Sequence, residues 1–140
     1  MHPVAAELFD ETLQKSGAWV AELMQALGYT EARPAYALLR AVLHALRDRV
    51  TVATAAKLGA QLPLLIRGVY YEGWHPAATP VKLRHKSEFL ERIRQSCPGL
   101  DETEHAVGIV LAQLSQHLSA GEIQHLKDEL PAELRSLWPF

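Results

Sequence analysis

The chain writes one phrase twice. "LPLLIRGVYYEGW" begins at Leu62 and "LPAELRSLWPF" at Leu130. Both read Leu-Pro, two residues, an aliphatic residue, Arg, and then an aromatic end. Pro63 and Pro131 lie 68 residues apart, and sliding the sequence by 68 aligns Leu39–Tyr70 with Val107–Trp138 without gaps. Identical pairs are Val42/Val110, Leu43/Leu111, Leu46/Leu114, Leu58/Leu126, Leu62/Leu130, Pro63/Pro131 and Arg67/Arg135. Upstream, an offset of 70 pairs Trp19 with Phe89, Val20 with Leu90 and Leu23 with Ile93. A fixed offset carrying leucines, a proline and an arginine predicts a tandem structural duplication. The units fall near 17–72 and 86–138, inside one domain spanning 1–140.

Each unit reads as helices. Leu39, Val42, Leu43, Leu46 and Val50 follow the i, i+3, i+4, i+7 spacing of one helical face, and Val107, Val110, Leu111, Leu114 and Leu118 repeat it. Apolar residues also flank both stripes, so these two helices belong at the centre. Thr51 and Ser119 are N-cap candidates, and Ser119–Glu122 and Asp101–Glu104 have the spacing of capping boxes. Proline lacks an N–H and disfavours helix in the residue before it. Leu62-Pro63 and Leu130-Pro131 are therefore corners between short helices, with Ile66, Val69, Tyr70, Leu134, Leu137 and Trp138 facing the core. Helices are expected near 4–14, 17–27, 31–49, 52–61, 63–72, 86–97, 102–118, 120–129 and 131–138. Gly17 is the one open question at the start, break or no break. With no sustained alternation of period two, the fold class is all-α: a helical bundle of two similar units plus an extra N-terminal helix.

Composition then removes function classes. The net charge is −2 and charged residues are 21%, which is no electrostatic footprint for nucleic acid. One cysteine, Cys97, permits no disulfide within the chain and suits a reducing cytoplasm. The opening "MHPVAAELFDE" lacks the basic and apolar regions of a signal peptide, and no run is long enough for a membrane span.

Three Glu-x-x-His matches occur, at Glu72/His75, Glu102/His105 and Glu122/His125. A di-iron bundle uses that motif with its side chains projecting inward. Here the second and third histidines fall opposite the apolar faces, and Gly73 with Pro76 interrupts the first. No metal and no cofactor are expected. Cys97 aligns with Leu27 and reads as a buried structural thiol rather than a nucleophile. No phosphate loop or nucleophile elbow is present, so no catalytic residue is assigned. Candidate ligand or partner residues are the aromatic–histidine cluster Tyr70, Tyr71, Trp74 and His75, and the basic run Lys82, Arg84, His85 and Lys86. Both lie in or beside "EGWHPAATPVKLRHK", a linker stiffened by Pro76 and Pro80 that should be ordered and anchored by Trp74. Cations at the start of a helix are unfavourably placed against its dipole. Acidic partners are therefore expected, with Glu88 and Glu91 as candidates.

At "FDETLQKSGAWVAELMQALG", "AVLHALRDRVTVATAAKLGAQLPLLIRGVYYEGW", "RHKSEFLERI" and "LPAELRSLWP" the chain resembles the bacterial domain-of-unknown-function family numbered 2267. The resemblance covers nearly the whole chain. It implies a small all-helical bacterial protein and supplies no catalytic residues. The expected function is a non-catalytic protein-interaction or self-associating module. The alternative is a small-molecule-binding protein or enzyme that uses a pocket near Trp74.

Overall fold

The computed structural model describes residues 4–139, and among them it is all-α, with eight α-helices and no strand. A 3₁₀ turn, Val4–Phe9, leads into α1 (Asp10–Leu27), followed by α2 (Ala32–Arg49), α3 (Val52–Ala60) and α4 (Leu64–Tyr71). A linker with one 3₁₀ turn (Pro76–Ala78) leads to α5 (Lys86–Ser96), α6 (Thr103–His117), α7 (Ala120–Asp128) and α8 (Ala132–Arg135).

The apolar stripes make the core. Leu39, Val42, Leu43 and Leu46 on α2 and Val107, Val110, Leu111 and Leu114 on α6 are all buried. α2 packs on α1, α3, α4, α5 and α6, and α6 packs on α1, α2, α5 and α7. Exchanging α1 with α5, α2 with α6 and α4 with α8 converts the α1–α2, α1–α4 and α1–α6 pairings into α5–α6, α5–α8 and α5–α2, all of which are present. Pairing of α4 with α2 and α3 has no equally extensive counterpart, because α8 is only four residues long.

Local chemistry sets the ends. Gly28 closes α1 in the left-handed conformation (φ 73°), and Tyr29 N–H donates back to Met24 O at 2.8 Å, a Schellman-type ending. Thr51 and Ser119 cap α3 and α7, accepting from Thr54 N at 3.3 Å and Glu122 N at 3.2 Å. Both Leu-Pro corners turn the chain as expected, with Leu62, Ile66, Leu130 and Leu134 buried.

Four details differ from the sequence reading. α1 runs unbroken through Gly17, because Ser16, Trp19 and Leu23 must share one buried face; the break comes before Asp10 instead. Asp101–Glu104 forms no capping box: Glu102 sits at the start of α6 in the left-handed region (φ 47°), where no side chain caps the helix. The last helix stops at Arg135, short of 138. The shared arginines also diverge. Arg67 donates from Nε to Gly59 O at 3.0 Å and from Nη2 to Leu62 O at 3.0 Å, so it closes the end of α3, whereas Arg135 is exposed.

Candidate functional site

The polar side of α2 organises the predicted site. The last carbonyls of α4 have no partner within their own helix. His44 Nε2 lies 2.7 Å from Val69 O, and Arg47 Nη1 donates to Tyr70 O and Glu72 O, each at 2.8 Å. Arg40 reaches Glu72 Oε1 from Nε at 3.0 Å and from Nη2 at 2.7 Å. Arg47 is buried, and its charge is met by neighbouring Asp48 (2.8 Å, Nε to Oδ1), which also accepts from Arg92 Nη2 at 2.7 Å. The same turn of α2 pins the linker: Val81 N donates to Asp48 O at 2.7 Å, and Arg49 Nε to Leu83 O at 2.7 Å. Sequence reading took α2 as a broadly apolar central helix and missed these residues. The available signal was charge at Arg47 and Asp48 inside a stretch expected to be buried, since such residues are rarely buried unless paired.

Over this frame the aromatic candidates converge. Tyr70 is fully buried, and its hydroxyl donates to Ala55 O at 2.7 Å. Desolvation raises its pKa. The Tyr70 and Tyr71 rings are 5.0 Å apart, and those of Tyr71 and Trp74 are 5.3 Å apart. Gly59 on α3 permits the approach. A Cβ there would fall 2.7 Å from Tyr71 Cζ, closer than real contacts allow, and 3.0 Å from Tyr70 Cε2, a tight contact. Trp74 is half-buried against the core, but its buried Nε1 makes no hydrogen bond. His75 is exposed.

The basic run is partly spent inside the fold. His85 Nδ1 lies 2.7 Å from Glu133, and Lys86 Nζ is 3.2 Å from Glu104. The acidic partners are therefore these two, from α8 and α6. Glu91 pairs with Arg94 instead, and Glu88 accepts the backbone N–H of His85 at 3.0 Å. Lys82 and Arg84 are exposed, and their side chains make no ion pair among the described residues. The hydrogen bond and charge of Glu133 raise the pKa of His85.

His44 is shifted the other way: burial lowers its pKa, and the neighbouring Arg47 and Arg40 add to this against the hydrogen bond to Val69. The folded state therefore binds the His44 proton less tightly than the unfolded chain. Its contribution to stability is present above the ordinary value of 6.5 and is lost as pH falls from there through the lower folded value. NMR titration should place His44 below 6.5 and His85 above it. His44→Gln should flatten the decline in melting temperature below pH 6.5.

Thr54, His125 and Glu129 form a polar cluster between α3 and α7. His125 Nε2 is 3.0 Å from Thr54 Oγ1 and 3.2 Å from Glu129 Oε2, while Thr54 Oγ1 also donates to Glu129. One ring nitrogen faces both partners, so this is not the nucleophile–base–orienter relay of a catalytic triad. Thr51 N donates to Glu129 Oε1 at 2.9 Å. Glu129, just beyond the end of α7, thus supplies the carboxylate that a capping box at Thr51 would take from its own third residue, where the sequence has Thr54. Partial burial pushes the Glu129 pKa up, but these hydrogen bonds outweigh it and the net shift is downward.

Glu102, His105 and His125 are exposed, as are Glu72 and His75, and no three potential metal ligands converge among the described residues. Cys97 is buried, its thiol facing Ala37 O at 3.5 Å, and desolvation raises its pKa.

Four clefts stand out among the described residues, and none of these four is lined by Tyr70, Tyr71, Trp74 or His75. The largest of the four, about 800 Å³, lies where the α1–α2 and α5–α6 loops meet, and its walls include Tyr29, Arg33, Asp101 and His105. Another, about 740 Å³, runs between α1 and the first Leu-Pro corner, with Leu8, Phe9, Trp19, Pro63, Leu64 and His117 on its walls. Leu8, Phe9 and Leu64 expose 82%, 51% and 52% of their surface, and Leu65 beside them 46%.

A family model described as "Uncharacterized conserved protein (DUF2267)" matches residues 17–137. No curated protein matches the chain. With the match covering both helix sets and the linker between them, the chain belongs to the DUF2267 family.

Proposed function

We propose that this protein is a non-catalytic interaction module of the bacterial cytoplasm, which associates with a protein partner or a second copy through the apolar surface at the first Leu-Pro corner. The observation that carries this reading is the clustering of large exposed side chains there. Leu8, Phe9 and Leu64 share one cleft. Scattered exposed leucines are ordinary, but a contiguous apolar group marks a contact surface. The single, buried cysteine suits a reducing compartment. Lys82 and Arg84 add a charged edge whose contribution would weaken with salt.

Sedimentation of the full chain tests the reading. Self-association that rises with concentration and is lost in Leu64→Asp supports it. A chain that remains monomeric at high concentration, or one whose association is untouched by Leu64→Asp, counts against the corner as a self-association surface.

A second reading is favoured by the 800 Å³ cleft, which falls within the size range of small-molecule sites. It would take first place if native mass spectrometry found a retained small molecule that is lost on Arg33→Ala.

A further inference from the structure

The 68-residue offset pairs Thr54 with Glu122, Lys57 with His125 and Leu58 with Leu126. All six residues line one cleft of about 490 Å³ between α3 and α7. Leu58 and Leu126, joined by Leu118 from the end of α6, are buried and give the cleft an apolar floor. The other four bring polar atoms to its sides. Thr54 is buried, Glu122 is half-buried, and Lys57 and His125 are exposed.

Two side-chain pairs across this cleft are equivalent by the offset, and only one of them is joined. Thr54 and His125 meet at 3.0 Å, and both also bond to Glu129. The offset turns that pair into Glu122 and Lys57, and turns Glu129 into Gln61. A carboxylate and an ammonium therefore stand at the positions of a contact, without the second carboxylate that clamps the first pair. The side chains of Lys57 and Glu122 make no hydrogen bond or ion pair among the described residues. The Glu122 backbone N–H is used, donating to Ser119 Oγ at 3.2 Å, but the carboxylate does not reach back to complete a capping box. One free charge of each sign is thus left beside an apolar floor.

We propose that this cleft binds a free amino acid with an apolar or aromatic side chain. The ligand's ammonium meets Glu122, its carboxylate meets Lys57, and its side chain rests on the three leucines. This chemistry follows from the placement of the charges. Both stand at the sides of an apolar floor, so a complementary molecule carries two opposite charges at one end and an apolar body at the other, as an α-amino acid does. Sites of this size hold small molecules by an apolar lining and a few polar groups that fix orientation. Neither charge has to give up a protein partner to meet the ligand. The site shares no residue with the Leu64 surface or with the 800 Å³ cleft.

The probe is L-phenylalanine, titrated by NMR into the full chain. Phenylpropionate and phenethylamine serve as analogues that each keep one of its charges. Saturable shifts at Leu58, Leu118 and Leu126 are expected, with a dissociation constant of about 1 mM or below. Each analogue should bind about fivefold more weakly than the amino acid, or worse. Lys57→Met should weaken phenylalanine by about fivefold without weakening the amine, and Glu122→Gln should do the same without weakening the propionate. Lys57 is exposed, and Glu122→Gln keeps the backbone bond to Ser119, so both variants should fold. Arg33→Ala, in the larger cleft, should leave the titration unchanged. No saturable shifts at about 10 mM phenylalanine, analogues that bind as well as the amino acid, or binding indifferent to both substitutions would overturn the proposal.

Discussion

Asp48→Ala is expected to destabilise the fold by about 3–5 kcal/mol, as removal of one member of a buried ion pair does. Asp48 is the counter-charge of Arg47, which is only 4% exposed, and it also accepts from Arg92. Removing the carboxylate leaves the Arg47 guanidinium in the interior, with only the Tyr70 and Glu72 carbonyls to meet it. For a chain of this length the loss should lower the melting temperature by roughly 10–15 °C. Asp48→Asn keeps acceptor geometry without the charge and should cost less. Denaturant melts of the two variants decide the matter. Equal, small effects would mean that Arg47 is held by the carbonyls alone. Arg92, which is more exposed, should matter less: Arg92→Ala removes a pair at the rim and leaves Asp48 bonded to Arg47.

Tyr70→Ala should be comparably severe, about 3–5 kcal/mol, the range for deleting a buried aromatic ring. Tyr70 is fully buried and rests against Gly59 and the Tyr71 ring, where α4 meets α3. Tyr70→Phe removes only the hydroxyl bond to Ala55 O, worth about 1 kcal/mol. The contrast between the two variants in thermal melts separates packing from hydrogen bonding. A Tyr70→Phe loss as large as that of Tyr70→Ala would show that the polar contact, rather than the ring, holds the corner.

Much of the architecture was legible in the residues because it is local. Period 3.6 marked Leu39–Val50 and Val107–Leu118 as helix faces, and these positions are buried. Hydroxyls at Thr51 and Ser119 marked helix starts, since the cap bond spans only three residues. The corners were legible because a proline restricts its own backbone and that of its neighbour. Where local signals competed, the reading slipped. Gly17 has a poor intrinsic helix propensity, yet the buried face around it carries α1 through. Asp101 and Glu104 have the spacing of a capping box, yet Glu102 takes a left-handed turn and the box does not form.

The candidate site was less legible. Proximity of Tyr70, Tyr71 and Trp74 could be read from their spacing near one helix end, and the linker's attachment was foreseen. Its means were not. His44 and Arg47 meet carbonyls 23–25 residues away, Arg40 donates to the Glu72 carboxylate, the Asp48 carboxylate accepts from Arg92, 44 positions on, and Glu129 caps a helix start 78 positions before it.

The sequence by itself therefore determined the class of fold, the helix faces, the caps and the corners, because periodicity and backbone restriction act between near neighbours. The tertiary structure alone decided which distant carbonyls the buried Arg47 meets, which arginines share Asp48 and which acid pairs with His85. These are contacts between surfaces brought together only when the helices pack, and a guanidinium or carboxylate carries no mark in the sequence of the partner it will reach.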